Sequence, residues 1–138
     1  MQSLVIWSLS NTVQLRIASA HKDLGSVTCC DSLHVQLMYQ DTIQDLGTIS
    51  GCDITHFQSV LKKAIEQSKV ESFMNSLFFS TDCMGQALVD IRVDNQTLCY
   101  AVVAVDTVQS WVSQLELLHV VMEENEKEQK SRGTGCCG

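Results

Sequence analysis

The chain has no proline in its 138 residues. Its turns must therefore rest on Gly, Asn and Asp, which reach turn conformations by other means than a preset φ. Basic charge is also scarce. Nine Lys and Arg stand against sixteen Asp and Glu, a net charge of −7. The basic residues are scattered, and the close groups are Lys62–Lys63 and a late Lys127, Lys130 and Arg132 set interleaved with Glu123, Glu124, Glu126 and Glu128. Phosphate binding needs clustered Lys and Arg, so any nucleic-acid role must be indirect. No apolar run reaches the roughly 18 residues of a membrane span, and no membrane partner is expected. The apolar N-terminus MQSLVIWSLSN lacks a basic flank and continues in strand-like alternation, so it reads as a strand rather than a secretory signal.

The motifs that carry chemistry are missing too. There is no G-x-S-x-G, H-E-x-x-H, phosphate loop or dinucleotide glycine pattern. His21, His34, His56 and His119 are isolated from one another. Cys29, Cys30, Cys52, Cys83, Cys99, Cys136 and Cys137 include no C-x-x-C pair, which argues against a zinc site. Without a secretory signal they read as reduced thiols. Asp82 beside Cys83 lacks the base and electropositive surround that a nucleophilic thiol needs. Asp90, Asp94 and Asp106 are too widely spaced to suggest a metal site. The expectation is a scaffold or adaptor with no catalytic residue, no metal and no cofactor.

What is present is a globular composition, 45% hydrophobic and 18% charged, long enough for one core. Period-2 alternation predicts strands over 4–9, 13–20, 26–30 and 33–40, an antiparallel meander. Ile43, Leu46 and Ile49 then suggest one or two helical turns, broken by Gly47 and Gly51. Asp53 is placed to cap a helix over 54–68, with Ile54, Phe57, Val60, Leu61, Ala64 and Ile65 on one face. Further strands are predicted over 73–80, 86–93 and 97–105, the last two joined by an Asp94-Asn95 turn. The stretch 100–105 is nearly continuously apolar, as a strand buried on both faces would be.

A last helix is predicted over 106–130. Val108, Trp111, Val112, Leu115, Leu118 and Met122 recur at three- and four-residue steps along it, the seam of an amphipathic helix or a coiled coil. Asn125 and Gln129 turn the seam polar, which suggests a solvated stalk. The expected fold is α+β: a seven-stranded antiparallel β-sandwich head with a helical insertion after strand 4, then a C-terminal coiled-coil helix. The head occupies 1–105, a stalk or dimerisation helix 106–130 and a disordered tail 131–138. Cys136-Cys137-Gly138 has the look of a double-cysteine prenylation terminus. That modification depends on a GTPase body whose phosphate loop is absent, so the tail reads as carrying two free thiols.

One region is more specific. Phe79-Ser80-x-Asp82-Cys83-x-x-x-Ala87-Leu88, followed by Arg92-Val93, resembles the sixth-strand region of the Cernunnos/XLF family. Ser110-x-Val112-Ser113-Gln114 resembles the start of that family's stalk. The resemblance spans most of 1–125 in element order and is specific over about 79–114. It implies a nuclear, non-catalytic scaffold of DNA double-strand break repair by non-homologous end joining. Such a protein forms a homodimer through its stalk and binds the ligase-four accessory scaffold head to head, bridging DNA ends, with Ku and DNA as indirect partners. A leucine after the sixth strand is central to that contact in the family, and Leu98 stands at the matching position. The chain departs from the family in a shorter segment over 42–52 without an Arg-Leu pair, and it is shortened at the C-terminus, without a long stalk or basic tail. The same architecture would also suit a centriolar or other structural assembly protein.

Overall fold

Alternation builds eight strands rather than seven. A computed structural model describes residues 1–82 and 84–131. In chain order it contains β1 (Gln2–Ser8), β2 (Val13–Ser19), β3 (Ser32–Tyr39), β4 (Thr42–Ser50), a 3-10 turn (Gly51–Asp53), α1 (Ile54–Gln67), β5 (Glu71–Phe73), β6 (Leu77–Thr81), β7 (Gln86–Val93), β8 (Gln96–Ala104) and α2 (Val105–Ser131). The strands form two separate antiparallel meanders, ordered β1-β2-β3-β4 and β5-β6-β7-β8. The fold is α+β, but the seven-stranded sandwich carrying a coiled coil is not what forms.

Each departure from the expected elements has a local cause. The one or two helical turns suggested by Ile43, Leu46 and Ile49 do not form, and β4 (Thr42–Ser50) pairs with β3 instead. Val35 faces Gly47 and Gln36 faces Asp45, so Leu46 is an extra residue in a bulge. That insertion gives Ile43, Leu46 and Ile49 a helix-like spacing of three while reversing which face they occupy. Ile43 lies outside, 56% exposed, whereas Ile49 is buried. Gly47 sits at φ +134, and a Cβ there would lie 2.9 Å from Met74 Cε. Residues 26–30 are not a strand, because side chains take up their backbone groups. Asp31 Oδ2 accepts from the Thr28 amide at 2.7 Å and from Thr28 Oγ1 at 3.2 Å. Residues 73–80 are two strands, because Met74 and Asn75 both adopt positive φ and turn the chain. Gln40-Asp41 and the expected Asp94-Asn95 are two-residue links with positive φ at both positions, so both hairpins turn without glycine or proline.

Helix α1 begins as its stripe predicts, with Ile54, Phe57, Val60, Leu61 and Ala64 buried. Asp53 does not cap it in the expected way. Its carboxylate accepts from the Ser50 amide at 3.0 Å and Ser50 Oγ at 3.3 Å, which stabilises the preceding 3-10 turn. Gly51 in that turn lies against the 28–29 backbone, where a Cβ would meet Cys29 Cα and the Thr28 carbonyl at 2.7 Å.

The two sheets share one core through the helices. Trp7 of β1 stacks on Trp111 of α2 at 4.8 Å and meets Phe57 of α1 edge-on at 5.4 Å. Phe57 in turn stacks on Phe73 of β5 at 4.2 Å and lies 6.0 Å from Phe79 of β6. Trp7 Nε1 donates to Gln114 Oε1 of α2. Gln58 Nε2 donates to the Val112 carbonyl at 3.3 Å, and Thr81 Oγ1 to the Ala64 carbonyl at 2.8 Å.

Helix α2 is therefore not a free stalk in the structure. Val108, Trp111, Val112, Leu115, Leu118 and Met122 are all buried within the single chain. Even Asn125, where the seam turns polar, is docked: its Nδ2 donates to the carbonyls of Leu24 at 3.0 Å and Val27 at 2.8 Å. The periodicity marks a core face, and α1 together with strands of the same chain covers it.

Truncating this core is expected to be costly. Trp111→Ala should destabilise the fold by about 3–5 kcal/mol, read from urea unfolding. Asn125→Ala leaves two loop carbonyls without their donor and is expected to cost about 1–3 kcal/mol in the same measurement. On a solvated stalk that change would stay within about 0.5 kcal/mol. Asp31 supplies a pH test. Partial burial opposes its ionisation, but Lys22 Nζ at 2.5 Å and the Thr28 amide outweigh this and hold its carboxyl below the ordinary 3.8. A carboxylate whose folded pKa is depressed contributes stability above its unfolded pKa and loses it as pH falls through the folded value. Stability is thus expected to decline below about pH 4, with a shallower slope in Asp31→Asn.

Candidate protein-docking surface

The second sheet has one face in the core and one in solvent. Phe73, Leu77, Phe79, Ala87, Val89, Ile91, Cys99 and Ala101 are buried. The intervening residues point outward, and several are apolar. Phe78 and Ser80 on β6, Leu88, Asp90 and Arg92 on β7, and Tyr100 on β8 line a shallow depression of about 200 Å³ together with Val70. Tyr100 is 60% exposed, Val102 48% and Val70 68%. Register aligns them: Phe78 opposes Asp90, Asp90 opposes Tyr100, and Leu88 opposes Val102.

A small polar network fixes the centre of this face. Arg92 Nε donates to Asp90 Oδ2 at 2.8 Å, and Thr97 Oγ1 donates to Asp90 Oδ1 at 2.9 Å. The Arg92 guanidinium also lies over the Phe78 ring, 4.2 Å from its centroid. Pairing and stacking hold the long Arg side chain in one place, so little further ordering is needed when a partner arrives. Aromatic and aliphatic side chains around an ordered Arg are the composition that anchors protein interfaces.

The expected partner-binding leucine is placed differently. Leu98 is the extra residue in a bulge where Arg92 faces Thr97 and Ile91 faces Cys99. Its side chain is half-buried and packs against the core, rather than standing out at the hairpin tip. The expected dimerisation residues Val108, Trp111, Val112, Leu115, Leu118 and Met122 are brought together, but inside the chain's own core. The exposed face is hidden in the sequence because 100–105 is nearly continuously apolar, as a strand buried on both sides would be. Two signals were available: Tyr100 carries a polar tip, and the adjoining strand places Asp90 and Arg92 on alternate positions.

Among the described residues the histidines and cysteines form no comparable site. His56 lies 5.6 Å from the Phe73 ring, while His119 Nε2 contacts Glu123 Oε1 at 3.3 Å. Among the described residues no cluster of His, Cys, Asp and Glu is arranged to hold a metal ion. Burial pushes the Cys29 thiol up to about 12, helped by neighbouring Cys52 and Glu126. Burial likewise raises Cys99. Neither offers a thiolate at neutral pH. Cys30 is disulfide-bonded, which corrects the expectation of reduced thiols throughout. Cys83, Cys136 and Cys137 lie outside the described residues, as does the tail beyond residue 131. Among the described residues no helix is long and apolar enough to cross a membrane.

Comparison with known proteins finds no matching family model, no similar curated protein and no similar solved structure.

Proposed function

We propose that this chain is a non-catalytic assembly module that docks a partner protein on the outer face of β6, β7 and β8. The observation that carries the reading is the exposed Tyr100 and Val102 beside half-buried Leu88, around the ordered Arg92–Asp90 pair. Exposed apolar side chains gathered on one sheet face mark interaction sites more often than isolated ones do.

The finer reading is a scaffold of non-homologous end joining in the nucleus, with the ligase-four accessory scaffold as the docked partner. Its support is the resemblance over 79–114. Ser80, Leu88 and Arg92 from the resembling stretch line the exposed face itself. Homodimerisation through the α2 seam is not carried into this proposal, because those side chains fill the core. Ku and DNA remain indirect partners, in keeping with a net charge of −7.

Two variants separate docking from folding. Tyr100→Glu and Val102→Asp lie on the exposed face and are expected to retain the wild-type unfolding midpoint. Each should weaken binding to the purified ligase-four accessory scaffold by about tenfold or more in calorimetric titration, as loss of an interface anchor does. Wild-type chain that shows no heat of binding removes the end-joining assignment. Unchanged affinity in both variants would move the docking site off this face.

A further inference from the structure

A pair of thiols sits where three segments of the chain meet. Cys29 lies in the connection between β2 and β3, and Cys52 in the 3-10 turn that leads into α1. Both are free, Cys29 buried and Cys52 exposed. The two backbones nearly touch, because a Cβ on Gly51 would lie 2.7 Å from Cys29 Cα. The Gly51 amide donates to the Asp31 carbonyl at 3.0 Å and fixes that approach. Cys52 Sγ donates to the Cys29 carbonyl at 3.4 Å, and the two thiols also contact each other. A disulfide needs Cα atoms within about 7 Å and side chains that converge. Backbones this close, with the thiols in contact, meet that need.

The two sulfurs differ in reach. Burial, with Cys52 and Glu126 beside it, pushes the Cys29 thiol up to about 12, and Glu126 of α2 accepts its proton in a hydrogen bond. Cys29 therefore stays a thiol, out of reach of an oxidant in solution. Cys52 is open to solvent. The neighbour of Glu126, Asn125, donates to the carbonyls of Leu24 and Val27 in the same connection. That connection thus holds the far end of α2 and one thiol of the pair. Cys30, the next residue, is already disulfide-bonded, so sulfur oxidation at this place is compatible with the fold.

We propose that Cys29 and Cys52 form a dithiol–disulfide switch, set by a small disulfide such as oxidised glutathione, that ties the connection between β2 and β3 to the start of α1. The Cys52 thiolate attacks one sulfur of the oxidant. One glutathione leaves as a thiolate and takes up a proton, and a mixed disulfide remains on Cys52. The Cys29 sulfur then attacks the Cys52 sulfur, and its proton passes by way of the Glu126 carboxylate to the second departing glutathione. The Cys29–Cys52 bond forms as the mixed disulfide breaks. Two protein thiols are oxidised while one disulfide is reduced to two thiols. The new bond encloses the β3–β4 hairpin and restricts the unfolded chain, so the oxidised form is the more stable. The switch does not rest on the docking reading.

The test equilibrates the intact chain with glutathione at a series of oxidised-to-reduced ratios, blocks free thiols, and cleaves before aspartate without reduction. Cleavage before Asp23, Asp31, Asp45 and Asp53 releases 23–30 and 45–52 as separate peptides. These two are expected to appear linked, in a fraction that follows the glutathione ratio, and tandem fragmentation should place the link on Cys29 rather than Cys30. Cys29→Ser should stop at a glutathione adduct on Cys52. The urea midpoint should rise on oxidation in wild type by more than in Cys52→Ser, a difference that separates this bond from changes at Cys30. The proposal is overturned if the folded wild-type chain yields no linked peptide at any ratio, or if fragmentation places the link on Cys30. It is also overturned if the linked fraction ignores the ratio, or if the midpoint shift is the same in Cys52→Ser as in wild type.

Discussion

The stack of Trp111 on Trp7, continued through Phe57 to Phe73, holds the two halves of this protein together. No strand of one meander pairs with a strand of the other among the described residues, so backbone hydrogen bonds do not join them. The join is made by side chains on α1 and α2. Large aromatic rings suit this role because each buries much apolar area and prefers stacked or edge-on contacts that fix relative position. The remaining architecture follows from this constraint. Helix α2 must stay docked from Val108 to Met122 to present Trp111, and Asn125 secures its far end on the 24–27 loop.

Much of this was legible in the sequence. The hairpin around Asp94-Asn95, the stripe of α1 and the seam of α2 all follow from period and turn chemistry. The pattern misleads where one residue alters the period or where side chains compete for backbone groups. The extra Leu46 in β4 imitates a helical repeat, and Asp31 draws the 28–31 backbone out of any ladder. The positions of the α2 seam follow from the three- and four-residue steps, and in the structure that seam is buried within the chain's own core. A one-sided apolar helix shows only that something must cover it, not whether the cover is a second copy or other elements of its own chain.

The candidate site was harder to read for a related reason. Strand β8 alternates between core residues such as Cys99 and Ala101 and exposed ones such as Tyr100 and Val102, yet nearly all are apolar. When both faces of a strand are apolar, alternation disappears and the exposed face is invisible in that strand alone. The polar tip of Tyr100 and the neighbours Asp90 and Arg92 on β7 disclose it. The same physics makes the face a candidate for docking, because contiguous apolar side chains left in water favour attachment of another protein. Placing α2 in the core turns the search for partners away from its seam. It leads to the outer face of β6–β8.

Hydrogen–deuterium exchange along α2, measured at low and high protein concentration, tests this architecture most directly. Core packing within one chain predicts that amides from Val108 to Met122 are protected nearly as strongly as those of the central strands, with no dependence on concentration. Rapid exchange along that stretch, or protection that appears only at high concentration, would contradict it and restore α2 as a stalk that needs a second copy to fold.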